Sequence, residues 1–198
     1  AAEGHPRLRE LIVSDTGEGW MPAIPRLPAL SILALHVDSH PLEVDTVEGV
    51  AHANSRALRV CGWLAHCERL SHLILTVSPD AHTPVIKLLA AVGAAAGGRL
   101  RRLTLRQAQL PTHGAVERVM QALGQYYPRL EVLSLWGDLG VEPSAAKALS
   151  RELLLAVPAL APLCHALRHV WVYGDEVQLQ RHPDGSVAAA HFAGSCFD

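Results

Sequence analysis

Apolar positions recur along this chain as Leu-x-x-Leu/Val-x-Leu/Val, and the pattern occurs six times. The copies open at Leu8 (Leu11, Val13), Leu30 (Leu33, Leu35), Leu70 (Leu73, Leu75), Leu100 (Leu103, Leu105), Leu130 (Leu133, Leu135) and Leu167 (Val170, Val172). In each copy the second and third apolar residues are two apart, which places them on one face of a strand, while the first anchors the approach to it. Strands this short cannot bury a face alone, so the repeat predicts stacked copies that share one core. The second copy admits two registers, since Leu27, Leu30 and Ile32 fit the spacing as well as Leu30, Leu33 and Leu35.

The opening leucines at 8, 30, 70, 100, 130 and 167 stand 22, 40, 30, 30 and 37 residues apart. The intervals are filled by segments with apolar steps of three and four: 44–65, 84–96, 113–126 and 143–157, as in Val116, Val119, Met120 and Leu123. These read as helices. Alternating strand and helix predicts parallel pairing, because parallel neighbours need a crossover of a dozen or more residues. After the sixth copy, Val177-Gln178-Leu179-Gln180, the turn string His182-Pro183-Asp184-Gly185 and Ser186 to Phe192 read as a β-hairpin that caps the open end of the sheet.

On these six copies the chain resembles the leucine-rich-repeat family in its ribonuclease-inhibitor-like form, over roughly residues 8 to 175. The Pro-Arg-Leu strings at Pro6-Arg7-Leu8, Pro25-Arg26-Leu27 and Pro128-Arg129-Leu130 are similar to the irregular repeats of fungal F-box-type proteins. The resemblance implies a single α/β solenoid domain over 1–198, with six parallel strands on a concave face, helices on the convex face and a cap over 176–198. It further implies a protein-binding role, in the F-box setting as the substrate-selecting part of a ubiquitin-ligase adaptor. The family's asparagine after the third leucine is missing from every copy. Asp38, Asp138 and Asp175 stand eight residues after their repeat leucines instead, so uneven curvature is expected.

Composition narrows the function classes. With 198 residues and 49% hydrophobic content, one sizeable core is affordable. Lys+Arg 17 against Asp+Glu 19 gives a formal charge of −2, which supplies no overall field for nucleic acid or anionic membrane. The longest uncharged apolar stretch, Leu153 to Leu167, is interrupted by Pro158 and Pro162 and falls short of the roughly 20 residues a spanning helix needs. Ala1-Ala2-Glu3-Gly4-His5-Pro6 carries no apolar signal core. The cysteines, Cys61, Cys67, Cys164 and Cys196, leave the first repeats bare, unlike disulfide-capped extracellular repeat proteins. Buried thiols and a cytoplasmic or nuclear location are expected, in a monomer or a hetero-complex.

Several strings hint at chemistry. Asp15-Thr16-Gly17 matches one half of an aspartic-protease dyad, but the mechanism needs two such carboxylates and the chain has one, which sets an Asp15-centred hydrolase as the enzyme alternative. Ser144-Ala145-Ala146-Lys147 has the spacing of a serine nucleophile motif without its partner motifs, and after Pro143 it reads as a helix start. His165 and His169 with Cys164 have the spacing of zinc ligands on a helix, yet the repeat register puts His165 in a turn and His169 on a strand. Gly93 to Gly98 lacks the lysine and hydroxyl of a phosphate loop. No enzyme activity, cofactor or metal is expected.

Function in such an array is expected on the residues between the repeat leucines. From first to sixth copy these are Glu10, Ile12, Ser14; Ile32, Ala34, His36; His72, Ile74, Thr76; Arg102, Thr104, Arg106; Val132, Ser134, Trp136; and His169, Trp171, Tyr173. The last three copies concentrate Arg, Trp and Tyr, the residues enriched at binding hot spots. Arg106, Trp136 and Tyr173 are expected to form one row across neighbouring strands. Arg102, Arg106, Trp136, His169, Trp171 and Tyr173 are therefore the candidate contacts for a protein partner on the concave face, with cover by the C-terminal segment, or a structural role without a partner, as the alternatives.

Overall fold

The repeat leucines become the centre of one open, eight-stranded mixed sheet. The computed structural model describes residues 7–13, 27–37, 64–77, 85–106, 116–136, 143–160 and 164–194. The strands are β1 (Glu10–Val13), β2 (Ile32–Val37), β3 (His72–Val77), β4 (Arg102–Arg106), β5 (Val132–Trp136), β6 (His169–Val172), β7 (Asp175–Arg181) and β8 (Val187–Ala193). They lie side by side in chain order. The first six pair in parallel, and β7 and β8 join antiparallel. The sheet is thus larger than the six parallel strands expected, because the hairpin adds two strands to the same sheet rather than covering it from outside.

Register is set by burial. Leu33, Leu73, Leu103, Leu133 and Val170 are direct neighbours across five strands, and Leu35, Leu75, Leu105, Leu135 and Val172 form the next row. All ten are buried, as are the opening leucines Leu30, Leu70, Leu100, Leu130 and Leu167. The second copy therefore takes the Leu30 register, with Leu27 half-buried against the core and Ile32 on the other face. A slip of one residue would turn every buried leucine to solvent, at about 2 kcal/mol or more for each.

Below the strands a second pattern repeats. The carbonyl after each opening leucine accepts two amides of the next repeat: Arg9 from Ser31 and Ile32, Ser31 from Ser71 and His72, Ser71 from Arg101 and Arg102, Arg101 from Glu131 and Val132, Glu131 from Arg168 and His169, all at 2.7–3.1 Å. Leu27, Cys67, Tyr127 and Cys164 each accept the amide of the leucine three residues on, closing the turn into the strand. The repeat thus extends three residues upstream of its leucine.

Helices cover one face. Those among the described residues are α1 (Val85–Val92), continued by a π-helical turn Gly93–Gly97, then α2 (Val116–Tyr126) and α3 (Pro143–Ala156), followed by a 3-10 turn at Val157–Leu160. Leu88, Leu89 and Val92 of α1, Val119 and Leu123 of α2, and Leu153 and Leu154 of α3 join the strand leucines in a single core. Leu88 and Leu89 stand four and three residues before Val92, Val119 four before Leu123, and Leu153 and Leu154 four and three before buried Val157. Gly93 and Gly97 are where α1 meets α2: a side chain at either would collide with Tyr126. The expected helix over 44–65 is described only from residue 64, where Leu64–His66 is a 3-10 turn; the rest lies outside the described residues.

Three polar links tie the last repeat and the hairpin together. Arg181 donates from Nε to the Leu167 carbonyl at 2.9 Å, from Nη2 to Cys164 at 2.7 Å and from Nη1 to Gly185 at 2.5 Å. The tight turn is held by Asp184, whose Oδ1 accepts the Ser186 amide at 2.9 Å and hydroxyl at 2.6 Å; those bonds hold its carboxyl below the usual carboxylate range. On the helix side the buried Ser150 hydroxyl lies 2.9 Å from the Val172 carbonyl and 3.0 Å from Oδ2 of buried Asp175, sharing one proton between two acceptors. Asp175 is the residue eight positions past Leu167; Asp38 and Asp138 lie outside the described residues. Ser150→Ala strips a donor from a buried carboxylate and is expected to lower the unfolding free energy in urea by about 1–3 kcal/mol with an unchanged m-value. A loss below ~0.5 kcal/mol would show that the hydroxyl is dispensable.

Candidate functional site

The face opposite the helices carries the residues between the leucines, and the register assembles them into rows. One runs Glu10, Ile32, His72, Arg102, Val132, His169, Gln178, His191 across all eight strands. The next runs Ile12, Ala34, Ile74, Thr104, Ser134, Trp171, Glu176, Ala193. The third pairs His36 with Thr76, Thr76 with Arg106 and Arg106 with Trp136.

Four of the six expected contact residues project together from β4, β5 and β6. Arg102 and Arg106 are exposed, Trp136 is 44% exposed and Trp171 is half-buried. Neighbouring strands are ~4.8 Å apart. Two guanidiniums and two indoles therefore share a patch two strand steps wide. Neither guanidinium is ion-paired among the described residues. The neighbouring Arg101 is different: its Nη1 lies 3.3 Å from Glu131 Oε1 on the rim, an exposed pair worth about 0–1 kcal/mol.

Tyr173 does not complete the row. Strand β6 ends at Val172, and Tyr173 takes a left-handed backbone at φ 52°, followed by Gly174 at φ 88°, to turn the chain into β7. Its amide still donates to the Leu135 carbonyl at 3.1 Å, but its side chain packs partly buried against the core. The hairpin starts earlier than its apolar residues indicate, and the tight turn costs Tyr173 its place on the face.

His169 is on the face but engaged. Its Nδ1 lies 3.0 Å from Oε1 of Glu176, which is 8% exposed on the strand beside Trp171. The alternation of Glu176, Gln178 and Gln180 with buried Val177 and Leu179 marks β7 as a continuation of the same face. That alternation was the available signal for the Glu176, Gln178 and His191 contributions, which the leucine pattern alone misses. Because β7 and β8 extend the sheet laterally, the described tail leaves Trp136 open rather than lying over it.

His72 is the titratable group beside the cationic end of the patch. Its Nδ1 is 2.9 Å from the Ser71 hydroxyl, and Arg102 is its cross-strand neighbour. Burial lowers its pKa first, Arg102 and Arg101 lower it further, and Glu131 opposes them. The ring is neutral at neutral pH. Elsewhere burial pushes the Cys67 thiol up, against the pull of Arg99, and the Cys164 thiol up to about 11, against that of Arg181. Both are protonated, buried groups with little nucleophilic character.

Asp15-Thr16-Gly17, Cys61 and Cys196 lie outside the described residues; Ser144 is in the first turn of α3, and His165 is exposed in the turn before β6. No helix among the described residues is long and apolar enough to cross a membrane. No protein-family model and no curated protein matches the chain.

The depressed His72 pKa sets a pH dependence. The unfolded chain takes up this proton near pH 6.5, before the folded one does, so stability is unaffected above that value and falls as pH drops through the folded pKa. Thermal melts between about pH 7.5 and 5 are expected to show a smaller acid-side loss in His72→Asn than in the natural chain; equal slopes would remove His72 as the cause.

Proposed function

We propose that the chain is a leucine-rich-repeat solenoid whose exposed sheet face is the concave one, and that it works as a non-enzymatic protein-recognition module. The observation that carries this reading is the patch on β4, β5 and β6, where Arg102 and Arg106, without an ion-pair partner among the described residues, stand beside Trp136 and Trp171. The sheet fixes the backbone beneath these side chains, so binding orders side chains without having to order a loop. Arginine brings a planar fork of donors, and tryptophan brings large apolar area with one polar handle; such residues dominate measured interface energies.

The six-strand parallel portion, the helices on one face and the rungs below the strands support the solenoid reading. The contact set proposed is Arg102, Arg106, Trp136 and Trp171, with His169 held by Glu176 at its edge and Tyr173 serving the turn. In the F-box-type setting that the Pro-Arg-Leu strings resemble, the same surface would select proteins for a ubiquitin ligase, in the cytoplasm or nucleus.

The test is comparative affinity purification from cell extract with the natural chain and with Arg106→Ala/Trp136→Ala. The same proteins should be captured by the natural chain and lost by the paired variant, by about 30-fold in affinity if the pair is a hot spot worth about 2 kcal/mol. Melting should stay within about 2 °C of the natural chain. A large fall in melting temperature would make the pair structural, and unchanged capture would place recognition elsewhere.

A further inference from the structure

A second charged feature lies on the strand-entry edge of the first three repeats, away from the face just described. An open groove of about 760 Å3 is lined by Arg7, Arg9, Ala29, Ser31 and Arg69. Its shape follows from the repeat. Arg7, Ala29 and Arg69 each stand immediately before an opening leucine, while Arg9 and Ser31 each stand immediately after one. Small residues from the second repeat therefore form the floor, and arginines from the first and third form the walls. Successive repeats advance by ~4.8 Å, which puts the backbones of Arg7 and Arg69 about 10 Å apart. Across that span two arginine side chains have the length to reach a single tetrahedral anion.

The floor is fixed. The Arg9 carbonyl accepts the Ser31 and Ile32 amides at 2.9 and 3.0 Å and the Ser31 hydroxyl at 3.2 Å. The Ser31 side chain is thereby held against the first repeat.

The charge in this groove is unanswered among the described residues. Glu10 and Glu68, the acidic neighbours in sequence, are exposed and do not line it. Several other arginines of the same edge behave differently. Arg99 donates from Nη2 to the carbonyls of Leu64, Ala65 and Ala95 at 2.5, 3.1 and 3.1 Å, Arg101 faces Glu131, and the groove at the far end combines Arg168 and Arg181 with Glu131. Arg7, Arg9 and Arg69 carry no such partner among the described residues.

We propose that this groove is a binding site for a phosphoryl group. Arginine suits that ligand because its planar fork matches two phosphate oxygens at once, and charge-assisted bonds of this kind are about twice as strong as neutral ones. A carboxylate offers two oxygens to a single fork, whereas a phosphoryl dianion offers three, enough to engage guanidiniums from both walls. The site is independent of the face on β4 to β6. A soluble ester and a lipid headgroup both carry such a group; the chemistry at the groove is the same.

The experiment titrates inorganic pyrophosphate into the full chain by calorimetry, and separately sediments the chain with phosphatidylcholine vesicles with and without phosphatidylinositol bisphosphate. Arg7→Gln/Arg69→Gln and, independently, Arg9→Gln remove groove charge from exposed positions. Arg129→Gln removes an exposed charge at the equivalent place in the fifth repeat. The natural chain and Arg129→Gln should bind pyrophosphate alike, and the paired variant should lose about tenfold or more. Binding of pyrophosphate with co-sedimentation on the phosphoinositide vesicles alone assigns a headgroup; binding without it assigns a soluble ester. Absence of both, full affinity in the Arg7→Gln/Arg69→Gln and Arg9→Gln variants, or an equal loss in Arg129→Gln would overturn the proposal.

Discussion

Stacking of identical apolar side chains at one level of successive strands is the constraint on which this protein rests. Leu33, Leu73, Leu103, Leu133 and Val170 touch in sequence because each occupies the same place in its repeat, and the row below and the row above do the same. A packed column of this kind fixes strand order, strand direction and register at once. A slip of one residue would expose the column and bury the arginines and histidines between its members. The doubled rung at the strand entry reinforces the choice with backbone bonds that do not depend on side-chain identity.

The exposed face and the exposed edge are consequences of that choice. Once the leucines are inside, the residues between them must be outside, so β4 to β6 present Arg102, Arg106, Trp136 and Trp171 at fixed spacing, and the strand entries present Arg7, Arg9 and Arg69. Helices could not do this as economically in space, since their outward residues rotate away from one another along the axis. The C-terminal hairpin closes the array by adding strands, with Arg181 gripping two carbonyls of the sixth repeat and Ser150 gripping the turn between β6 and β7.

Much of this architecture was legible in the residues. The leucine spacing located β2 to β6 to within a residue or two, and the Pro-Asp-Gly string located the hairpin turn. What escaped was information that spacing does not carry. Leu27, Cys67, Tyr127 and Cys164 fill one repeat position with three different residue types, so the leucine pattern does not reveal it. Arg99 and Arg181 lie outside the leucine pattern, yet each serves carbonyls left over at a turn. Tyr173 followed the spacing of a face residue, but the start of β7 at Asp175 leaves only Tyr173 and Gly174 for a reversal, and a left-handed backbone turns the ring away. The hairpin strands were visible as strands, whereas their antiparallel addition to the same sheet depended on contacts between distant residues.

The most direct test of the stacked column is a through-space NMR map of leucine and valine methyl groups in otherwise deuterated protein. Contacts are expected for Leu33 with Leu73, Leu73 with Leu103, Leu103 with Leu133 and Leu133 with Val170, in that order. Strong contacts that skip a strand, or that offset the rows so that Leu33 meets Leu75 in place of Leu73, would contradict the account.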